Sequence, residues 1–195
     1  MLRMIALTLI ALASVKSTAA CSRAAPFSFD ELFAADVIVR VTAVKYVIPP
    51  DPNTRTTGKP ESTIEFKVEE VLRGEDAPEA VVLHGYLSDR DDFNDVEVTY
   101  KFVRPGGRGG SCFANTYKEG GQFLLFLKKE GDTFTPNISA LGPTNEQLRG
   151  PDDAWLRWVM EHLKSRGRKG GAEPPPLSVV SSMATRLLLL LSAAS

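Results

Sequence analysis

Asp36-Val37-Ile38-Val39-Arg40-Val41-Thr42-Ala43-Val44 is the stretch on which the fold turns. A period of two puts Val37, Val39, Val41 and Ala43 on one face and Ile38, Arg40, Thr42 and Val44 on the other. β-branched residues dominate, so Asp36 to Ile48 is predicted to be one long strand, ended by Pro49-Pro50-Asp51-Pro52-Asn53. Ser62 to Leu72 repeats the pattern, with Ile64, Phe66 and Val68 opposite Glu65, Lys67 and Glu69. Arg73-Gly74-Glu75-Asp76 turns into a third strand over Glu79 to Tyr86, and Val96, Val98 and Tyr100 suggest a short extra one. Phe123-Leu124-Leu125-Phe126-Leu127 is the most apolar run between the leader and the tail, so Gln122 to Lys129 is predicted to be a central strand. A turn at Glu130-Gly131-Asp132 joins it to Thr133-Phe134-Thr135.

Two helices flank these strands. Ser28 is placed to cap a short one, Phe29 to Ala35, with Glu31 completing a capping box. Pro151 to Lys164 has an amphipathic pattern, Trp155, Leu156, Trp158, Val159, Met160 and Leu163 falling mainly on one side, with Asp152-Asp153 suited to its N-terminus. The expected fold is all-β, a small closed barrel with a short N-terminal helix and a C-terminal amphipathic helix packed on it.

The chain has 195 residues, 23 basic and 24 acidic, for a net charge of −1; nothing in this balance asks for nucleic acid or an anionic membrane. Its start reads as a secretory leader: Arg3, an apolar stretch from Met4 to Val15, then Thr18-Ala19-Ala20 for a signal peptidase. Cleavage after Ala20 makes Cys21 the first residue of an exported protein, extracellular or periplasmic. Outside the cytosol two thiols tend to pair, so Cys21–Cys112 is the default disulfide. The alternative is a lipoprotein with Cys21 diacylated, although Thr18 stands where that motif prefers Leu and Lys16 interrupts the apolar run. The predicted organisation is therefore 1–20 signal peptide, 21–165 a single domain including the terminal helix, and 166–195 a low-complexity linker and short hydrophobic tail. Membrane contact is expected only through a lipid on Cys21 or through that tail, where Leu187 to Leu191 resembles a weak anchor-attachment signal carrying Arg186.

Catalytic chemistry finds little to use. The histidines, His84 and His162, belong to no His-Glu-x-x-His pattern, and two cysteines cannot build a zinc site. A bridged Cys112 is no nucleophile, and no Gly-x-Ser-x-Gly elbow is present. Asp89, Asp91, Asp92 and Asp95 lack the glycine and closing glutamate of a calcium loop and read as a solvated acidic connection. Pro105-Gly106-Gly107-Arg108-Gly109-Gly110 lacks the Gly-Lys-Ser/Thr of a phosphate loop. Asn137-Ile138-Ser139 is a glycosylation sequon for a eukaryotic secretory pathway. No enzyme activity, no cofactor and no metal of its own are expected.

Four blocks carry a family resemblance: Cys21-Ser22-Arg23 with Phe33 to Val44, Phe66 to Gly74, Ser111-Cys112-Phe113 with Gly120 to Phe126, and Leu141-Gly142-Pro143-Thr144-Asn145. Together, from Cys21 to about Leu148, they resemble the netrin-like domain of the tissue inhibitors of metalloproteinases. The resemblance implies a five-stranded OB-fold-like closed barrel. It implies that the α-amine and carbonyl oxygen of mature Cys21 chelate the catalytic zinc of a target metalloprotease, displacing the water the enzyme would activate. It places Ser22 in the specificity pocket beside the zinc and makes Cys112 the bridge partner that holds the terminus rigid. The family's Cys-x-Cys opening has Arg23 in its third position here, the cysteine that would pair with that position is missing around Ser139 to Leu141, and the inhibitors' C-terminal subdomain has no counterpart. Many netrin-like domains bind partners without inhibiting a protease, so a binding module tethered through acylated Cys21 is the alternative function.

Overall fold

β1 (Val37–Ile48) pairs antiparallel with β2 (Thr63–Arg73) along one edge and with β6 (Gln122–Glu130) along the other. The computed structural model describes residues 27–53, 59–109, 112–137 and 140–170. The predicted leader, Cys21, Ser22, Ser139 of the sequon and the tail after Gly170 lie outside them. The sheet continues from β2 to β3 (Ala80–His84) and from β6 to β7 (Thr133–Pro136), giving the order β3-β2-β1-β6-β7. β8 (Asn145–Leu148) pairs with Gln122 to Leu125 of β6, and β7 pairs with Leu127 to Glu130. A separate parallel pair joins β4 (Tyr86–Ser88) to β5 (Thr116–Lys118). The architecture is thus mainly β, an antiparallel sheet with two short helices. Among the described residues no hydrogen-bonded ladder joins β3 to β7.

The alternation of β1 does what it predicts. Val37, Val39, Val41 and Ala43 pack in one core with Ile64, Phe66, Val81, Leu83, Tyr117, Phe123, Leu125 and Leu127. Leu124 and Phe126 point the other way along the pleat and are also buried. Phe126 meets Phe33 at 5.8 Å and Trp155 at 6.5 Å between ring centroids. An unbroken apolar run is the mark of a strand covered on both faces, and each large side chain so buried contributes about 1.5–3 kcal/mol.

Four departures from the predicted elements have local causes. α1 spans only Phe29–Leu32, with Ser28 Oγ accepting from Asp30 N at 3.2 Å. It stops early because side chains from the sheet take its final carbonyls. Asn137 Nδ2 donates to Glu31 O (2.8 Å) and Leu32 O (3.0 Å), Arg73 Nη1 to Phe33 O (2.6 Å), and Lys128 Nζ to Ala34 O. The sequon nitrogen is therefore engaged as a capping donor. The third strand breaks at Gly85, where a Cβ would stand 2.6 Å from the Tyr117 ring and 2.7 Å from Asn115 O, leaving Tyr86 to Ser88 as β4. Val96, Val98 and Tyr100 form no strand: Asn94 Oδ1 accepts from Val96 N and Asn94 Nδ2 donates to Phe102 O, so the segment folds on itself. Tyr100 instead stacks on Trp155, centroids 4.9 Å apart.

α2 (Ala154–Gly170) begins three residues later than Pro151. Asp153 sets its start, Oδ1 accepting from Trp155 N at 2.8 Å and Oδ2 from Arg149 N at 2.9 Å. The chain divides into two compact units, Met1–Trp158 and Val159–Ser195. In the first, Trp158 stacks on Trp155 (5.1 Å) and contacts Phe29 (4.8 Å) and Phe33 (6.0 Å), which fixes α1 against the start of α2. In the second, Ser165 Oγ donates to His162 O at 2.8 Å within the helix.

Candidate functional site

Of the residues singled out for zinc chelation and bridging, Cys21 and Ser22 lie outside the described residues and Cys112 is described. Its thiol is not free, and its backbone is left-handed, with φ of 64°. Such a φ costs an L-residue roughly 1–2 kcal/mol, so it persists only where the surroundings impose it. Leu141 N donates to Cys112 O at 2.7 Å, and Leu141 O accepts from Val103 N, also at 2.7 Å. Gly107 lies against the following peptide: a Cβ there would stand 2.7 Å from Ala114 N and 2.9 Å from Phe113 C. Asn145 Nδ2 donates to Ala114 O and, at 2.8 Å, to Tyr117 Oη.

Gly107 belongs to a 3₁₀ turn, Pro105–Gly107, that starts from Arg104. Arg104 is completely buried. Its Nη1 donates to Asp92 Oδ2, its Nε to Asn145 O at 3.1 Å, and its backbone N to Glu146 Oε1 at 3.0 Å. The guanidinium carbon lies 5.2 Å from the centre of the Tyr117 ring and 5.4 Å from that of Phe123. Nη2 has no hydrogen-bond partner among the described residues, so those ring faces are the compensation it has for lost water. Asp92 also accepts from Gly106 N at 2.9 Å, and Asn94 Nδ2 donates to Glu146 Oε2 at 2.8 Å. Gln147 Oε1 accepts from Asp92 N, and Gln147 Nε2 donates to Asp91 Oδ1, both at 2.7 Å.

The predicted solvated connection over Asp89–Asp95 is therefore only partly solvated. Asp89 and Asp95 are exposed, but Asp92 neutralises a buried arginine and Asn94 is itself buried. Asp95 pairs with Arg108 at 2.7 Å. No group of three or more His, Cys, Asp or Glu side chains among the described residues could hold a metal ion. His84 Nδ1 is 2.7 Å from Pro60 O, a structural contact at the edge of the sheet. No helix among the described residues is long and apolar enough to cross a membrane.

Burial pushes the Glu146 carboxyl up to about 7, against the opposing pull of Arg104 and the hydrogen bond from Asn94. The folded chain then holds a proton that the unfolded chain, at an ordinary glutamate value, has released. Between about pH 4.5 and 7 the native state binds more protons, so this group's contribution to stability falls as pH rises through that window and is level above it. The steepest slope is about 1.4 kcal/mol per pH unit. Glu146→Gln is expected to flatten the pH dependence of urea unfolding between pH 5 and 7 by roughly 1 kcal/mol per unit. An unchanged slope in the variant means that Glu146 titrates normally.

The sequence reading missed Arg104, Glu146 and Asp92 because a buried ion cluster leaves no periodic trace. Its one faint signal is Asn145-Glu146-Gln147, polar residues directly after Leu141-Gly142-Pro143-Thr144, where the chain must re-enter the sheet. The chain matches no protein-family model and no curated protein.

Proposed function

We propose that this chain is a secreted inhibitor of zinc metalloproteases that binds the target's catalytic zinc through the α-amine and carbonyl oxygen of mature Cys21. The observation that carries the reading is the mounting of Cys112. A cysteine whose thiol is not free, in a left-handed conformation with its carbonyl bonded to Leu141 N and the following peptide packed on the 3₁₀ turn, suits the fixed end of a bridge that must keep Cys21 rigid. Rigidity counts because a mobile terminus would lose ordering entropy on docking. In this reading Ser22 enters the pocket beside the zinc. A netrin-like, OB-like barrel is the finer fold we infer. The order β3-β2-β1-β6-β7 suits a barrel closing between β3 and β7, whose Cα atoms approach within 8 Å.

The test compares the protein beginning at Cys21 with one carrying an extra N-terminal alanine, against a panel of zinc metalloproteases. The extension turns the α-amine into an amide that cannot donate its lone pair to zinc. Inhibition is expected to weaken at least about a hundredfold, roughly 2.7 kcal/mol. Equal inhibition by both forms would sink chelation. The second reading, a tethered netrin-like binding module, draws on Arg23 standing where the family has a second cysteine. A diacylglyceryl mass on Cys21 in the exported protein would establish it.

A further inference from the structure

We infer that the buried Asp92–Arg104–Glu146 cluster is the positioning device that locks the Cys112 loop in this two-cysteine chain. As a statement about inhibition it rests on the function proposed above. As a statement about the loop it stands on geometry alone.

Cys112 is the one cysteine in the segment from Ser88 to Ala114, so no second disulfide can cross-link that segment to the sheet. Besides the Tyr100 stack on Trp155 and the buried Val103 side chain, what fixes it is polar. Asp92 closes one side of the 3₁₀ turn through Gly106 N and holds Arg104 Nη1. Glu146, on β8, closes the other side through Arg104 N and Asn94 Nδ2. Gly107 of the same turn lies directly on the Phe113–Ala114 peptide, and Asn145, the neighbour of Glu146, takes Ala114 O. Two carboxylates on opposite sides of one arginine thus register the turn against β8, and the turn registers the peptide after Cys112. Isolated ion pairs of this depth add little net stability, but removing a partner leaves a charge stranded, so the arrangement has one low-energy geometry rather than several.

The test is amide hydrogen exchange on the whole exported chain, read at Val103, Gly107 and Leu141, whose amides bond within the mount, and at Asp36 and Ala43, whose amides bond within the sheet. Asp92→Ala is expected to accelerate the first set about tenfold or more and to leave the second unchanged. Asp92→Asn, which retains an acceptor for Gly106, is expected to recover part of the protection. Should Asp92→Ala fail to fold, Gly107→Ala probes the next contact outward, between the turn and the Phe113–Ala114 peptide, without altering charge and is expected to loosen the same three amides. Uniform acceleration of both sets, or no acceleration, overturns the inference whatever the wild-type protein does to proteases. If the wild-type protein inhibits, the loosened variants are expected to inhibit about tenfold more weakly, and unaltered inhibition with a loosened mount overturns the positioning role. Local loosening in a wild-type background that inhibits nothing supports the mount and sinks only the zinc reading.

Discussion

Arg104→Met is expected to destabilise the protein by about 3–5 kcal/mol at pH 8, the usual cost of removing one partner from a buried charge cluster. For a chain of this size that lowers the unfolding midpoint by roughly 10 °C. Methionine replaces most of the apolar contact with Tyr117 and Phe123, so the loss is electrostatic rather than a cavity. Asp92 and Glu146 lose their common cation, and Asn145 O loses its Nε donor. Glu146 is already raised to about 7 with Arg104 pulling it down; without that pull its carboxyl rises further and is neutral at mildly acidic pH. The penalty should therefore shrink when the same unfolding is measured at pH 5, leaving chiefly the share due to Asp92. A penalty that is equal at pH 5 and pH 8 would show that packing, not charge, is what Arg104 supplies.

What the sequence shows and what it hides follow from the same physics. β1, β2 and β6 are legible because the hydrophobic effect acts residue by residue and the pleat writes it with a period of two. The alternation over Val37 to Ala43 is the core face itself. The run Phe123 to Leu127 is legible as central for the same reason, since only a strand covered on both sides tolerates it. Asp153 as the cap of α2 is visible in the acidic pair ahead of Trp155, though the side chain fixes the start three residues later than the pattern indicates. The loop from Ser88 to Ala114 is the opposite case. Its four aspartates have one local composition, and, with Asp89 left exposed, the other three meet three different fates. Asp92 meets a buried guanidinium, Asp91 receives the Gln147 amide, and Asp95 pairs with Arg108 at the surface. Partners 12, 56 and 13 residues away decide these fates. The zinc-binding end of the proposed site is legible only as a processing signal and a resemblance, while its mount emerges from tertiary contacts alone.

If Cys112 is joined to Cys21 as proposed, Cys112→Ala is expected to cost about 4 kcal/mol, because that bridge would close a loop of about 90 residues and remove that freedom from the unfolded chain. Alanine keeps a Cβ, so the left-handed backbone at this position carries the same steric burden before and after the change. The difference then belongs to the bridge. Cys21→Ala should cost the same, and the double variant no more than either single one, since one bond is lost in all three. Cys112→Gly provides an internal check: freed of its Cβ at φ 64°, it should recover about 1 kcal/mol of the loss. On the proposed function, protease inhibition should fall in the Cys112 variants although Cys21 retains its α-amine, because the proposed chelating pair would then be carried on a mobile arm whose ordering opposes docking. Strictly additive effects of the Cys21 and Cys112 substitutions would mean that the two residues are not joined, and the zinc-chelating terminus would lose its anchor.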